Sequence, residues 1–167
     1  MVEDVIRALG HATLGSRLRR LGERLQAEAQ ELTGLLTGEE LPSPHHTVLG
    51  ALSRNGPMNI GDLAVCLGQA QPGVTRMIGK MKTAGLVIAH TDLSDRRVST
   101  IHLTERGKKR IAELEALHWP AVEAGVATLC GQLEGSLLDQ LTGLETLLNE
   151  KSLKQRVLEA QSQENEP

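Results

Sequence analysis

Aromatic side chains are almost absent from this sequence: its 167 residues include one tryptophan, Trp119, and no tyrosine or phenylalanine. The core must therefore be aliphatic, and the base-stacking platforms that grip single-stranded nucleic acid or RNA are excluded. Cysteine is nearly as scarce. Cys66 and Cys130 lie far apart, so there is no disulfide framework and no C-x-x-C pair, which fits a reducing, cytoplasmic compartment. No apolar run approaches the roughly 20 residues of a membrane span, and the acidic start Met1-Val2-Glu3-Asp4 is not that of a signal peptide. Enzyme signatures are missing as well. There is no G-x-S-x-G, no P-loop and no G-x-G-x-x-G, and Gly68 to Gly73 lacks the lysine that a phosphate loop needs. No catalytic residue and no cofactor is expected.

An excess of positive charge is also lacking, since 18 Lys and Arg face 21 Asp and Glu for a net charge of −3. At the scale of the whole chain that balance speaks against a nucleic-acid binder. Its distribution speaks otherwise. Between Gln69 and Arg110 stand nine basic residues, Arg76, Lys80, Lys82, Arg96, Arg97, Arg106, Lys108, Lys109 and Arg110, against Asp92, Asp95 and Glu105. This segment carries +6 and the remainder −9, the footprint of a domain that meets polyphosphate while its other surfaces stay away.

Apolar periodicity then organises the chain. Residues from Val2 to about Leu36 read as one long helix, with Leu14, Leu18, Leu21, Leu25, Leu32 and Leu36 along one face. Gly38 and Pro42 end it. Ser43-Pro44 reads as an N-cap followed by proline in the first turn, opening a short helix from Pro44 to about Arg54. Asn59 can cap the next helix, in which Ile60, Leu63, Ala64 and Leu67 repeat at helical spacing up to Gly68. Pro72 opens another, with Val74, Met77, Ile78 and Met81 inward and Gln71, Thr75, Arg76 and Lys80 outward, until Ala84-Gly85. Two short amphipathic helices across a tight turn make a helix-turn-helix.

Leu86 to Ala89 and Val98 to Leu103 read as strands around the polar turn Thr91 to Arg97, so a hairpin follows the second helix like the wing of a winged helix. Thr104 caps a further helix carrying Ile111, Leu114 and Leu117, which His118-Trp119-Pro120 kinks or restarts. Leu133, Leu137, Leu141, Leu144 and Leu148 form a last stripe, and the polar residues Gln161 to Pro167 are expected to be disordered. The expected fold is mainly α with a small β-hairpin wing. It divides into an N-terminal dimerisation helix (1–40), a winged helix-turn-helix (41–110), C-terminal dimerisation helices (111–160) and a tail (161–167). The end helices lie too far apart in sequence to belong to the small domain's core, and a second copy of the chain is the economical partner for their stripes.

In Ile60-Gly61-Asp62-Leu63-Ala64 and Gln71-Pro72-Gly73-Val74-Thr75-Arg76-Met77-Ile78 the sequence resembles the helix-turn-helix of the MarR family of bacterial transcription regulators. Asp95-Arg96-Arg97 followed by Ile101-His102-Leu103-Thr104-Glu105-Arg106-Gly107 is similar to that family's wing and following helix. The likeness spans about residues 5 to 150. It implies a homodimer, a pseudo-palindromic duplex DNA operator, and a small-molecule or redox signal that releases the DNA; repression is the expected sense. Three departures stand out: Ala70 where the family often has a capping serine, His45-His46 where an aromatic is common, and Val98 where the wing usually has Gly or Ser.

On this reading the recognition helix contributes Gln71, Gly73, Thr75, Arg76 and Lys80. An arginine at Arg76 can reach guanine O6 and N7 with two hydrogen bonds, Gln71 can pair with adenine, and Thr75 can meet a phosphate or a thymine methyl. Lys80 is the expected phosphate contact, whereas Lys82 is simply solvated. The wing contributes Arg96 and Arg97, Arg97 entering the negative potential of a narrow minor groove. Asp95 orients an arginine through a charge-assisted hydrogen bond.

The signal is less legible. The six histidines show no H-x-x-x-H or H-E-x-x-H spacing, so no metal site is expected, although some relatives bind zinc. His45 and His46 are the candidates for the ligand crevice, because their helix borders it in the family. No cysteine stands near the start of the first long helix, where peroxide-sensing relatives carry one. Trp119 reads as a core or interface anchor. Two alternatives remain: a metal- or redox-responsive regulator of the same fold, and a winged-helix protein-interaction module that no longer binds DNA.

Overall fold

The computed structural model describes residues 2–91 and 99–164. In chain order the helices and strands are α1 (Val5–Ala8), α2 (Leu14–Thr37), α3 (Ser43–Asn55), β1 (Met58–Asn59), α4 (Ile60–Leu67), α5 (Gln71–Thr83), β2 (Val87–Thr91), β3 (Ser99–Leu103), α6 (Glu105–Glu113), α7 (Trp119–Cys130), α8 (Leu137–Glu150) and α9 (Leu153–Glu164). Two compact units result, Met1–Val122 and Glu123–Pro167, with α7 crossing their boundary.

The first unit is a winged helix on an aliphatic core. Leu49, Leu63, Val74, Ile78, Met81, Ile101 and Leu114 are fully buried, as a chain without Phe or Tyr requires. Its turns are set by local chemistry. Asn59 Oδ1 accepts the Asp62 amide at 2.8 Å while its Nδ2 donates to the Asp62 carboxylate at 2.7 Å, starting α4. Gly68, at φ +60°, ends α4 in the left-handed conformation that favours glycine. Ala70 supplies no side-chain cap to α5, whose first turn holds only backbone bonds to the Ala70 carbonyl. At the far end the Leu86 amide bonds back to the Met81 carbonyl, and the chain turns into β2.

β2 and β3 pair antiparallel from Val87 opposite Leu103 to Thr91 opposite Ser99, and β1 adds to the other edge of β3. The third strand was not expected; two residues are too short to show periodicity. Thr104 caps α6 through the Gly107 amide at 3.0 Å, and its hydroxyl donates to the Gly85 carbonyl at 2.6 Å. Gly107 itself leaves no room for a side chain, since a Cβ there would stand 2.1 Å from the Leu86 carbonyl oxygen. The helix after the wing is therefore pinned on the chain that leaves the recognition helix.

Several expectations change. The N-terminal helix is not continuous: Gly10, at φ +56°, separates α1 from a tight 3₁₀ turn (Gly10–Thr13), and α2 begins at Leu14. α3 starts one residue early, with Pro42 as its cap, and the Ser43 hydroxyl donates to the Gln26 carbonyl instead of capping. Leu114–His118 widens into a π-helical turn before α7, because Pro120 has no amide to give the preceding turn and its ring crowds it. Nor is the N-terminal helix wholly outside the core. Thr33 of α2 is buried, and the Ala29 carbonyl stands 2.8 Å from His118 Nε2. Gln161 to Glu164 continue α9 instead of starting a disordered tail.

In the second unit, the Ser136 hydroxyl caps α8, and Arg156 donates from Nη2 to the Leu147 carbonyl at 2.6 Å. No residue of α8 is buried. Among the described residues no helix is long and apolar enough to cross a membrane.

Candidate nucleic-acid interface

Helix α5 divides cleanly into two faces. Val74, Met77, Ile78 and Met81 enter the core, while Gln71, Thr75, Arg76, Lys80 and Lys82 are exposed and Gly73 is half-buried. The Thr75 hydroxyl donates to the Gln71 carbonyl at 2.9 Å, a bond back to the preceding turn of the helix. Space around Gly73 is open, so a flat partner can approach the first turn closely.

The basic segment itself proves to be two populations. Among the described residues Arg76, Lys80 and Lys82 have no carboxylate partner. The cations of α6 are already engaged: Lys108 with Glu105 at 2.7 Å, Lys109 with Glu113 at 3.9 Å, and Arg106 with Glu39 at 2.5 Å. Arg110 is buried, donating to Glu113 at 2.6 Å and to the Glu39 carbonyl at 2.8 Å. Arg106 and Arg110 tie α6 to the segment after α2 through Glu39, while Lys108 and Lys109 pair within α6 itself. Local charge in the sequence could not single out Arg106 and Arg110, because Glu39 lies outside the basic window. The wing residues Asp95, Arg96 and Arg97 lie outside the described residues.

His45 lines a cleft of about 430 Å³ beside α5, with Pro42, Pro44, Gln69, Gly73, Arg76, Met77 and Lys80. Burial pushes the His45 pKa down, and the positive charge of Lys80 pushes it further. Its Nδ1 is buried without a hydrogen-bond partner among the described residues. His46 points elsewhere. Its Nε2 stands 3.1 Å from the Leu41 carbonyl, and its ring meets the His118 ring edge-on at 4.9 Å. Burial, reinforced by the proximity of His118, lowers its pKa to about 4 despite the bond to Leu41. The two adjacent candidates thus fall in different surroundings, one beside the recognition helix and one in a buried pair.

His118 and the proline-walled part of the cleft escaped the sequence reading. His118 is brought to His46 by the π-helical turn, which no spacing rule foretells. Pro42 and Pro44 were visible only as helix punctuation.

A helix-turn-helix whose second helix has a free cationic face, followed by an antiparallel hairpin, defines a winged helix-turn-helix. The comparisons with known proteins make the assignment narrower: residues 40–98 match the model of the MarR family, so the resemblance read in the sequence holds over that stretch. The fold is also that of solved regulators. A mutant of E. coli MarR complexed with operator DNA is 18% identical with a TM-score of 0.66, covering 89% of this chain and 98% of that one. The S. aureus MepR–DNA complex is 20% identical at TM-score 0.64, covering 83% and 96%. Bordetella bronchiseptica BpsR, whose DNA binding is regulated by 6-hydroxynicotinic acid, is 24% identical at TM-score 0.59, covering 83% and 98%.

Proposed function

We propose that this chain is a dimeric, sequence-specific regulator of transcription, a repressor in sense, which reads duplex DNA with α5 and its wing. One observation carries the reading. Among the described residues the outward face of α5 presents Gln71, Thr75, Arg76 and Lys80 with neither cation paired to a carboxylate, while each cation of α6 faces one. Unpaired cations beside hydrogen-bonding side chains on one exposed helix suit a major groove, where phosphates fix position and base edges give specificity. MarR and MepR, which share the fold, were solved on DNA.

The apolar stripes support the dimer. Leu14, Leu18, Leu21, Leu25 and Leu32 of α2 are each between 37% and 49% exposed, an apolar row that water would not favour. A second copy covering it would set two recognition helices symmetrically for an operator of two half-sites. A small-molecule effector completes the reading. The cleft beside α5 shares Arg76 and Lys80 with the DNA face, so an occupant there competes with phosphate for the same charges.

The test is binding of the purified protein to DNA from upstream of its own gene, compared with scrambled DNA across a salt series. The reading predicts tight, sequence-dependent binding whose log K falls linearly with log salt. Absence of binding at low salt overturns it.

A further inference from the structure

Outside the DNA face, the hairpin brings two histidines together that the sequence keeps twelve positions apart. His90 of β2 and His102 of β3 share the face opposite the buried Ile101, and their ring centroids are 4.5 Å apart, tilted by 53°. Pairing of Ile88 with His102 and of His90 with Thr100 makes them diagonal neighbours across the strands. His90 is exposed and its ring nitrogens have no hydrogen-bond partner among the described residues.

We propose that His90 and His102 form a two-imidazole site for a late first-row divalent metal ion, of the Cu²⁺, Ni²⁺ or Zn²⁺ class. Imidazole is a favoured ligand for these ions. Two imidazoles on one ion, each with its nitrogen ~2.0–2.1 Å from the metal, bring their ring centres to roughly 4.5–5 Å at ordinary coordination angles. The observed centroid separation of 4.5 Å falls at the near end of that range. Thr100 supplies the outer contact that such ligands need. Its hydroxyl oxygen lies 3.4 Å from the His90 carbonyl, to which it donates, and 2.9 Å from His102 Nε2. With its proton given to the carbonyl, the oxygen accepts from Nε2–H, which leaves the Nδ1 lone pair of His102 free for a metal. No third histidine, cysteine or carboxylate joins the pair among the described residues, and two imidazoles alone hold such an ion reversibly. An ion held there bridges the two strands at the base of the wing.

The experiment is equilibrium dialysis of the full chain, freed of any affinity tag, against Ni²⁺, alongside His90→Gln, His102→Gln and the control His11→Gln. Circular dichroism checks that each variant is folded. We expect one Ni²⁺ per chain on the wild type, a loss of affinity beyond about tenfold in each hairpin variant, and no change in the control. Imidazole NMR gives a second readout that needs no variant: paramagnetic Ni²⁺ should broaden the His90 and His102 ring signals before those of the other four histidines. Unchanged Ni²⁺ binding in either hairpin variant, or broadening that begins at another histidine, overturns the proposal.

Discussion

Arg76 and Lys80 stand about one turn apart on α5, yet the two should fail differently when removed. Arg76→Ala is expected to cost about 1–3 kcal/mol of operator binding and to relax specificity at one base position, while Lys80→Ala should weaken binding to all sequences and reduce the salt slope by about one. Titration of each variant on operator and scrambled DNA separates these outcomes. His46 makes a different prediction, about stability. Its folded pKa, about 4, lies below the ordinary histidine value of 6.5. A depressed folded pKa means that the unfolded chain takes up the proton first. Stability is therefore fully present above pH 6.5 and falls as pH drops towards 4, by about 2–3 kcal/mol for this group. His45, shifted the same way, adds to the slope. Urea unfolding between pH 7.5 and 4.5 measures it, and His46→Gln should flatten the dependence.

At the scale of elements, the hinge between recognition helix and wing rests on one close approach. Gly107→Ala puts a methyl against the Leu86 carbonyl, so α6 must shift away from the hairpin; about 2 kcal/mol or more of stability should be lost, seen as a lowered Tm. The motif was legible in the sequence as Thr-Glu-Arg-Gly, but its reason was not, because the clash is with a residue 21 positions away. The same division runs through the fold. Asn59, Gly68, Gly85 and Thr104 were readable as caps and stops because capping is local chemistry between residues a few positions apart. β1 was missed because its only signal is pairing with β3 across 40 residues. The break at Gly10 was missed because the surrounding apolar positions keep helical spacing on both sides. In the candidate site, the outward face of α5 followed from periodicity alone. The internal pairing of Arg106 and Arg110 did not, since Glu39 reaches them only through the fold.

For the whole molecule, the proposed dimer rests on the leucine row of α2. Leu21 and Leu25 are 49% and 44% exposed on α2, so Leu21→Glu with Leu25→Glu should convert a dimer to monomer in sedimentation equilibrium while the far-ultraviolet spectrum of the winged helix persists. A monomeric wild type at micromolar concentration contradicts the dimer. The charge pattern then has a simple sense. Among the described residues three cations on α5 face outward without a carboxylate partner while the acidic residues lie mainly elsewhere in the chain, a distribution that would orient the proposed regulator on a polyanion without making the whole protein basic.

Hydroxyl-radical footprinting of the full chain on its own upstream DNA tests that account most directly. Two symmetric protected half-sites, their centres about one helical turn or a multiple of it apart, are predicted for two α5 helices carried by one dimer. Protection that covers the fragment evenly, or a single unpaired half-site, would contradict a symmetric reader built on α5.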